Sequence, residues 1–232
     1  MDIWVADPSI LESEALAAAY DALLTDEERA KVRSYRFERN RREALLARVL
    51  VRTALSRYRP VTPAAWRFTR NDFGRPAIDP PCGLFFNVSH RPTLAVCAVS
   101  PGLEVGVDVE PISNATAILE VAPRVFAPDE YASLLAVDAD DRRRRAVTLW
   151  TLKESYIKAR GQGLALPLDA FSFDVRDAGG WQVAFRPPIE DSPERWWFRT
   201  FDVGEHQIAL TVERASGLAP TVRLRRCVPL GT

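Results

Sequence analysis

Two stretches far apart in the chain follow one plan. "NRREALLARVLVRTAL", Asn40 to Leu55, and "DRRRRAVTLWTLKESY", Asp141 to Tyr156, each open on an arginine cluster and continue into an apolar stripe of helical period. Shorter helix-like segments precede each of them, 10–24 and 26–36 before the first and 115–125 and 128–136 before the second. Ser9 with Glu12, and Thr25 with Glu28, have the spacing of a capping box and mark the first two starts. The long helices are expected at 38–58, ended by Pro60, and at 140–160. Short β-like runs follow, at 66–69, 84–88, 94–99 and 104–109 in an antiparallel meander, and again at 171–175, 181–185, 195–201 and 207–213. The pattern predicts an α+β fold made by duplication, with an N-terminal subdomain over 1–104 and a C-terminal one over 105–232. A cleft between two such halves is a common place for a ligand.

The bulk numbers remove several function classes. Hydrophobic residues make up 47% of the 232, and no apolar run approaches the ~18 residues of a membrane span. The opening "MDIWVADPSI" lacks the basic and apolar regions of a secretory signal, so a cytoplasmic protein without membrane partners is expected. Lysine plus arginine equals aspartate plus glutamate, 31 each, which leaves no global field for nucleic acid; a magnesium-dependent nuclease would want a basic groove. Any anion site must be local. Cys82, Cys97 and Cys227 have no CxxC spacing and read as packed thiols. With only two histidines, a bound metal would be held by oxygen ligands, which points to magnesium or manganese.

The stretch "GVDVE", Gly106 to Glu110, places Asp108 and Glu110 on one face of a strand while its valines face the other. Two like charges side by side need a cation or a wet cleft to compensate them, or else mark only the solvated side of a half-exposed strand. In "WTLKESYIKARGQGL", Trp150 to Leu164, Glu154 and Lys158 share a helix face, and alone they would read as a surface pair worth a few tenths of a kcal/mol. Taken together, Asp108, Glu110 and Glu154 are three oxygen donors, the number expected when magnesium keeps waters and takes phosphate oxygens in its remaining positions. Lys153 and Lys158 could then neutralise phosphate charge. The run Arg142 to Arg145 after three aspartates reads as a solvated helix start with internal ion pairs, or as a basic edge that meets an acidic partner.

The combination GxDxE and, further on, WxxKESxxKxxGxGL resembles the 4′-phosphopantetheinyl transferase superfamily, in its longer Sfp-type form. "FGRPAI", Phe73 to Ile78, and "FNVSH", Phe86 to His90, extend the resemblance upstream in the same order. The resemblance implies a pseudo-twofold pair of α+β subdomains, with coenzyme A in the cleft between them. It implies a magnesium-dependent transfer of the phosphopantetheine arm of coenzyme A onto a serine of an apo carrier protein, acyl, polyketide or peptidyl, releasing adenosine 3′,5′-bisphosphate. By the same resemblance Asp108, Glu110 and Glu154 would hold the metal, with Glu154 also the candidate to take the serine proton, and Lys158 would be the active-site lysine. Gly74, Arg75 and Pro76 would contact the adenine. Ser89 and His90 would contact the 3′-phosphate. Lys31, Arg52 and Glu130 are weaker correspondences of the same kind, Lys31 near the 3′-phosphate and Glu130 near the metal. Here Arg91 and Pro92 follow His90 where the family often has a small or polar residue. A monomer is expected, and a coenzyme A-binding or carrier-binding module without catalysis is the rival from another class.

Overall fold

The computed structural model describes residues 1–175, 180–214 and 219–230, and it folds as two compact units. The first comprises Met1–Arg70, Pro76–Gly102 and Pro220–Thr232, the second Asn71–Arg75 and Leu103–Ala219. Where the sequence divides at 104/105, the C-terminal tail thus returns to the first unit, and a five-residue loop joins the second.

In the first unit the chain runs through β1 (Asp2–Ala6), α1 (Glu14–Asp21), α2 (Asp26–Arg33), α3 (Glu38–Ser56), β2 (Phe68–Arg70), β3 (Pro76–Ile78), β4 (Leu84–Arg91) and β5 (Leu94–Pro101). The second repeats that order as β6 (Val105–Pro111), α4 (Ala115–Val125), α5 (Pro128–Leu135), α6 (Ala139–Arg160), β7 (Phe171–Val175), β8 (Trp181–Phe185), β9 (Trp196–Val203) and β10 (His206–Glu213). Strand pairing repeats as well. β1 pairs antiparallel with β5 and β5 with β4, while β2 and β3 form a separate ribbon; β6 pairs with β10 and β10 with β9, while β7 and β8 form theirs. The expected α+β duplication is therefore present in element order and in sheet topology. One strand stands outside it: β11 (Arg223–Arg226) joins β1 in parallel, its Arg223 and Arg225 both donating to Asp2 Oδ1.

Two expectations are corrected. The meander holds only between β4 and β5, because β2 pairs with β3 in a separate ribbon and β6 pairs with β10, opening the second unit. The helix expected over 10–24 is a 3-10 turn (Pro8–Glu12) capped by Asp7, followed by α1, whose cap is Ser13 and not Ser9. Strands β1, β3 and β11 went unforeseen. At Thr25 the capping box forms with both of its bonds.

Each unit is locked by the same buried device. In the first, Arg52 lies in the middle of α3 with 1% exposure, and its Nη2 meets Glu28 Oε2 at 2.6 Å. Its Nη1 donates to the carbonyls of Pro63 and Trp66, both 2.9 Å, and the guanidinium lies 5.2 Å from the Phe68 ring centroid. In the second, Lys153 lies in α6 with 0% exposure, and its Nζ meets Glu130 Oε2 at 2.7 Å. That ammonium donates to the carbonyls of Leu168 and Phe171 and lies 4.2 Å from the Phe171 ring centroid. Both glutamates occupy the third position of the short helix and accept the N–H of its cap residue, Thr25 in one unit and Ala127 in the other. One cation thus ties the start of a short helix, the middle of the long helix and the chain entering the next strand.

Removing one partner of such a pair leaves a buried charge uncompensated, at a cost of about 3–5 kcal/mol. Lys153→Met and Glu130→Gln should each destabilise the protein by that order. The double substitution should cost clearly less than the sum of the two, because neither charge is then left alone. Urea unfolding of the three variants checks this; additive costs would mean that the pair is not coupled.

Candidate active site

The long helix α6 of the second unit lies directly on the backbone of β6. At Gly106 there is no room for a side chain, since a Cβ there would come within 2.0 Å of Ser155 O and 2.4 Å of Ala159 N. The contact continues to β10, where the Ser155 and Thr211 hydroxyls are 2.7 Å apart. Gly106, Asp108 and Glu110 alternate onto this helix-facing side, while Val105, Val107 and Val109 are buried on the other. The strand has no wet side: Asp108 is 2% exposed and Glu110 0%.

Their compensation comes from the protein itself. Lys158 Nζ sits 2.6 Å from Asp108 Oδ1, and Asn114 Nδ2 donates to Glu110 Oε2 at 3.0 Å. Glu154, one turn before Lys158, is half-buried. Among the described residues no group of three or more His, Cys, Asp or Glu side chains is gathered as a metal ion would require. The cation seated at Asp108 is the ammonium of Lys158.

Lys153 is a correction. Its ammonium is enclosed by Glu130, two backbone carbonyls and the Phe171 ring, so it does not reach a phosphate. The helical period carries the reason: Leu149, Tyr156 and Ile157 lie three or four residues away on the same core-facing side. Glu130 is likewise structural, its second oxygen accepting from Phe173 N. Burial raises its pKa and lowers that of Lys153, while their mutual attraction acts against both shifts. The arginine run also serves packing. Arg142 caps the end of α5 at the carbonyls of Leu135 and Val137, Arg143 reaches Thr116, Arg144 reaches Asp202 and Arg145 reaches Ser133.

The loop of Gly74 and Arg75 turns through a positive φ of 81° at Gly74, with Asn71 Oδ1 accepting from the N–H groups of Phe73 and Arg75. Asn71 Nδ2 and Arg75 Nη1 donate to the carbonyls of Gly161 and Ala159, satisfying the end of α6. The Arg75 guanidinium also pairs with Glu104. Its side chain is thereby taken up within the second unit, to which the loop itself belongs.

In the first unit a cavity of about 440 Å³ opens among α2, α3, the β2–β3 ribbon and β4. Phe86, Val88 and His90 line it from alternate positions of β4, with Pro76 on β3. Its basic side chains are His90, Arg48, Arg52, Arg67 and Arg70. Alternation along β4 turns Ser89, which is buried, to the opposite face, so Ser89 and His90 do not converge as side chains. His90 Nδ1 lies 3.6 Å from Glu43 Oε2. Lys31, exposed in the last turn of α2, stands outside the lining, its Nζ 5.9 Å from the ring centroid of Tyr35, which does line the cavity. The motif comparison missed Arg48, Arg67 and Arg70; the helical spacing of Arg48 and Arg52 was the available signal for the first of them.

A family model described as the 4′-phosphopantetheinyl transferase superfamily matches residues 104–211, and one described as 4′-phosphopantetheinyl transferase, N-terminal, matches residues 11–102. The chain is 35% identical over 185 residues to the 4′-phosphopantetheinyl transferase Sfp of Bacillus subtilis, covering 78% of each. It is 34% identical over 194 residues to another Bacillus subtilis 4′-phosphopantetheinyl transferase, covering 84% of this chain and 82% of that one. Among solved structures, a holo-(acyl-carrier-protein) synthase from Bacillus anthracis in complex with coenzyme A is 16% identical at a TM-score of 0.42, covering 49% of this chain and 98% of that one.

Since α6 carries both Glu154 and Lys158, its seat on β6 sets their place. Gly106→Ala should push the helix off the strand and cost about 3 kcal/mol or more, because backbone atoms cannot yield as a side chain would. A melting temperature within a degree of the wild type would show that the contact is softer than this packing implies.

Proposed function

Because the chain belongs to the 4′-phosphopantetheinyl transferase superfamily, we propose that it transfers the phosphopantetheine arm of coenzyme A to a serine of an apo carrier protein, whether acyl, polyketide or peptidyl. The observation that carries the proposal is the pair of buried carboxylates, Asp108 and Glu110, joined through Lys158 to the helix that bears Glu154. A pair of carboxylates enclosed on a strand face with a lysine at hand is costly for a module that only binds.

In the proposed reaction the carrier serine Oγ attacks the β-phosphorus of coenzyme A in line. The bond from that phosphorus to the bridging oxygen breaks, and adenosine 3′,5′-bisphosphate leaves with the electron pair. Such a step needs little beyond positioning and charge stabilisation. Lys158, whose side chain is 27% exposed, has the reach to offer its ammonium to the pyrophosphate. Glu154 accepts the serine proton, directly or through a water. Asp108, Glu110 and Glu154 are the residues that would hold magnesium, or manganese; when bound, such an ion neutralises charge on the transferring phosphate. The first-unit cavity takes the nucleotide end, with His90 and Pro76 in its lining. No helix among the described residues is long and apolar enough to cross a membrane, and we place the activity in the cytoplasm, carried out by a monomer.

The test is mass spectrometry of a panel of apo carriers incubated with coenzyme A and magnesium. At least one should gain the mass of the phosphopantetheine arm, and Asp108→Asn should slow that gain by about 10²–10³-fold, the scale on which an enzyme loses a group that stabilises transition-state charge. Coenzyme A bound without any carrier being modified would instead identify a non-catalytic binding module.

A further inference from the structure

Most of the cations that line the first-unit cavity have their charge already answered. Arg52 is paired with Glu28, and His90 faces Glu43. Arg67 donates from Nη1 to the carbonyls of Ala64 and Trp66, and Arg70 is exposed at the rim. Arg48 differs. It is half-buried on the cavity side of α3, and among the described residues its one hydrogen bond is from Nη1 to the carbonyl of Ala44, one turn back on its own helix, at 2.8 Å. No carboxylate of the described residues comes within 4.0 Å of it. Burial lowers its pKa and the charge of Arg70 acts in the same direction, while Glu28 and Tyr35 oppose them.

The duplication supplies an independent comparison. Counting four residues back from the clamp cation gives Arg48 before Arg52 in the first unit and Leu149 before Lys153 in the second. Leu149 is fully buried in the core of its unit. Where one repeat fills the space with leucine, the other leaves a cavity and puts a guanidinium in it. Ala47 and Val51, also lining the cavity, are small enough to leave the fork of Arg48 open to a bidentate acceptor.

We propose that Arg48 grips the 3′-phosphate of coenzyme A in this cavity, with His90 and Arg70 as flanking cations, and so sets the preference for coenzyme A over its dephospho form. This rests on the proposed function and assigns the contact to a residue other than Ser89 and Lys31, which stand outside the cavity lining.

Calorimetry with adenosine 3′,5′-bisphosphate and with 5′-AMP tests it. The wild type should favour the bisphosphate by roughly 10- to 150-fold, the worth of a charge-assisted hydrogen bond. Arg48→Gln should bring that ratio close to one by weakening only the bisphosphate. Arg48→Lys, which keeps the charge and loses the fork, should fall between. Lys31→Ala should keep the wild-type ratio. A wild-type ratio in Arg48→Gln overturns the assignment, and if that variant does not fold, an unchanged ratio in Arg48→Lys does so. If the wild type labels carriers but its ratio survives either substitution, only the role of Arg48 fails. If it binds neither nucleotide and labels no carrier, the proposed function fails with it.

Discussion

The fold depends on one interaction made twice, a buried cation on a long helix clamped to a glutamate at the start of the helix before it. On electrostatic grounds alone the arrangement is unfavourable, because taking two charges out of water costs several kcal/mol per ion unless their remaining hydrogen bonds are all made. Here most are made, and in the same way in both units, with Arg52 Nε left without a partner among the described residues. Arg52 and Lys153 each find a carboxylate, two carbonyls and an aromatic face, and the carboxylate answers an N–H at the helix start that would otherwise lack a partner. The return is in specificity: apolar side chains could fill the same volume in many registers, whereas a charge with four partners accepts one. Three segments distant in sequence are fixed together by a single side chain.

Once the clamp sets α6, the chemistry of the second unit follows from the period of the helix. Lys153 points to the core, Glu154 to its edge, and Lys158 returns to the strand, where it meets Asp108. Gly106 brings helix and strand into backbone contact, so the lysine needs no long reach, and the two carboxylates that repel one another on β6 are held in a place where a cation is built in. The same closeness explains why these charges are buried instead of solvated. A strand covered on both faces has no exposed side to offer them, and the compensation must come from the protein or from what it binds.

Much of this was legible in the sequence, for reasons that differ by element. The long helices and their partners follow from hydrophobic period and from capping chemistry, and the Thr25 box forms as its spacing requires. Strands with local partners were also visible, because β4 and β5 form a hairpin. Of the elements that went unseen, β1 and β11 are held by distant residues. β11 is "RLRR", without apolar alternation, and exists because Asp2 binds two of its arginines. The meander failed for the same reason, since nothing local says that β6 pairs with a strand a full repeat later. Lys153 is the exception in its motif, since its neighbours at helical spacing, Leu149, Trp150, Tyr156 and Ile157, mark the core-facing side of α6. Ser89 and His90, which the motif takes together, are adjacent on a strand and so face opposite ways.

The repeats also show where function departs from architecture. With the two clamp cations aligned, the residue after each is Thr53 in one unit and Glu154 in the other, and five places on stand Arg57 and Lys158. The opening strands diverge in the same sense. β1 packs Ala6 into the core of its unit with Trp4 against it, while β6 turns Gly106, Asp108 and Glu110 toward its helix. Packing alone would have kept both copies alike, as it did at the clamp. Residues that differ between two copies of one scaffold, and that carry charge into buried or half-buried positions, are those that stability cannot account for. By that criterion the second copy is marked by Asp108, Glu110 and Lys158, and the first by Arg48 and a cavity. The division of labour follows from which copy gave up its apolar filling at which turn of the helix.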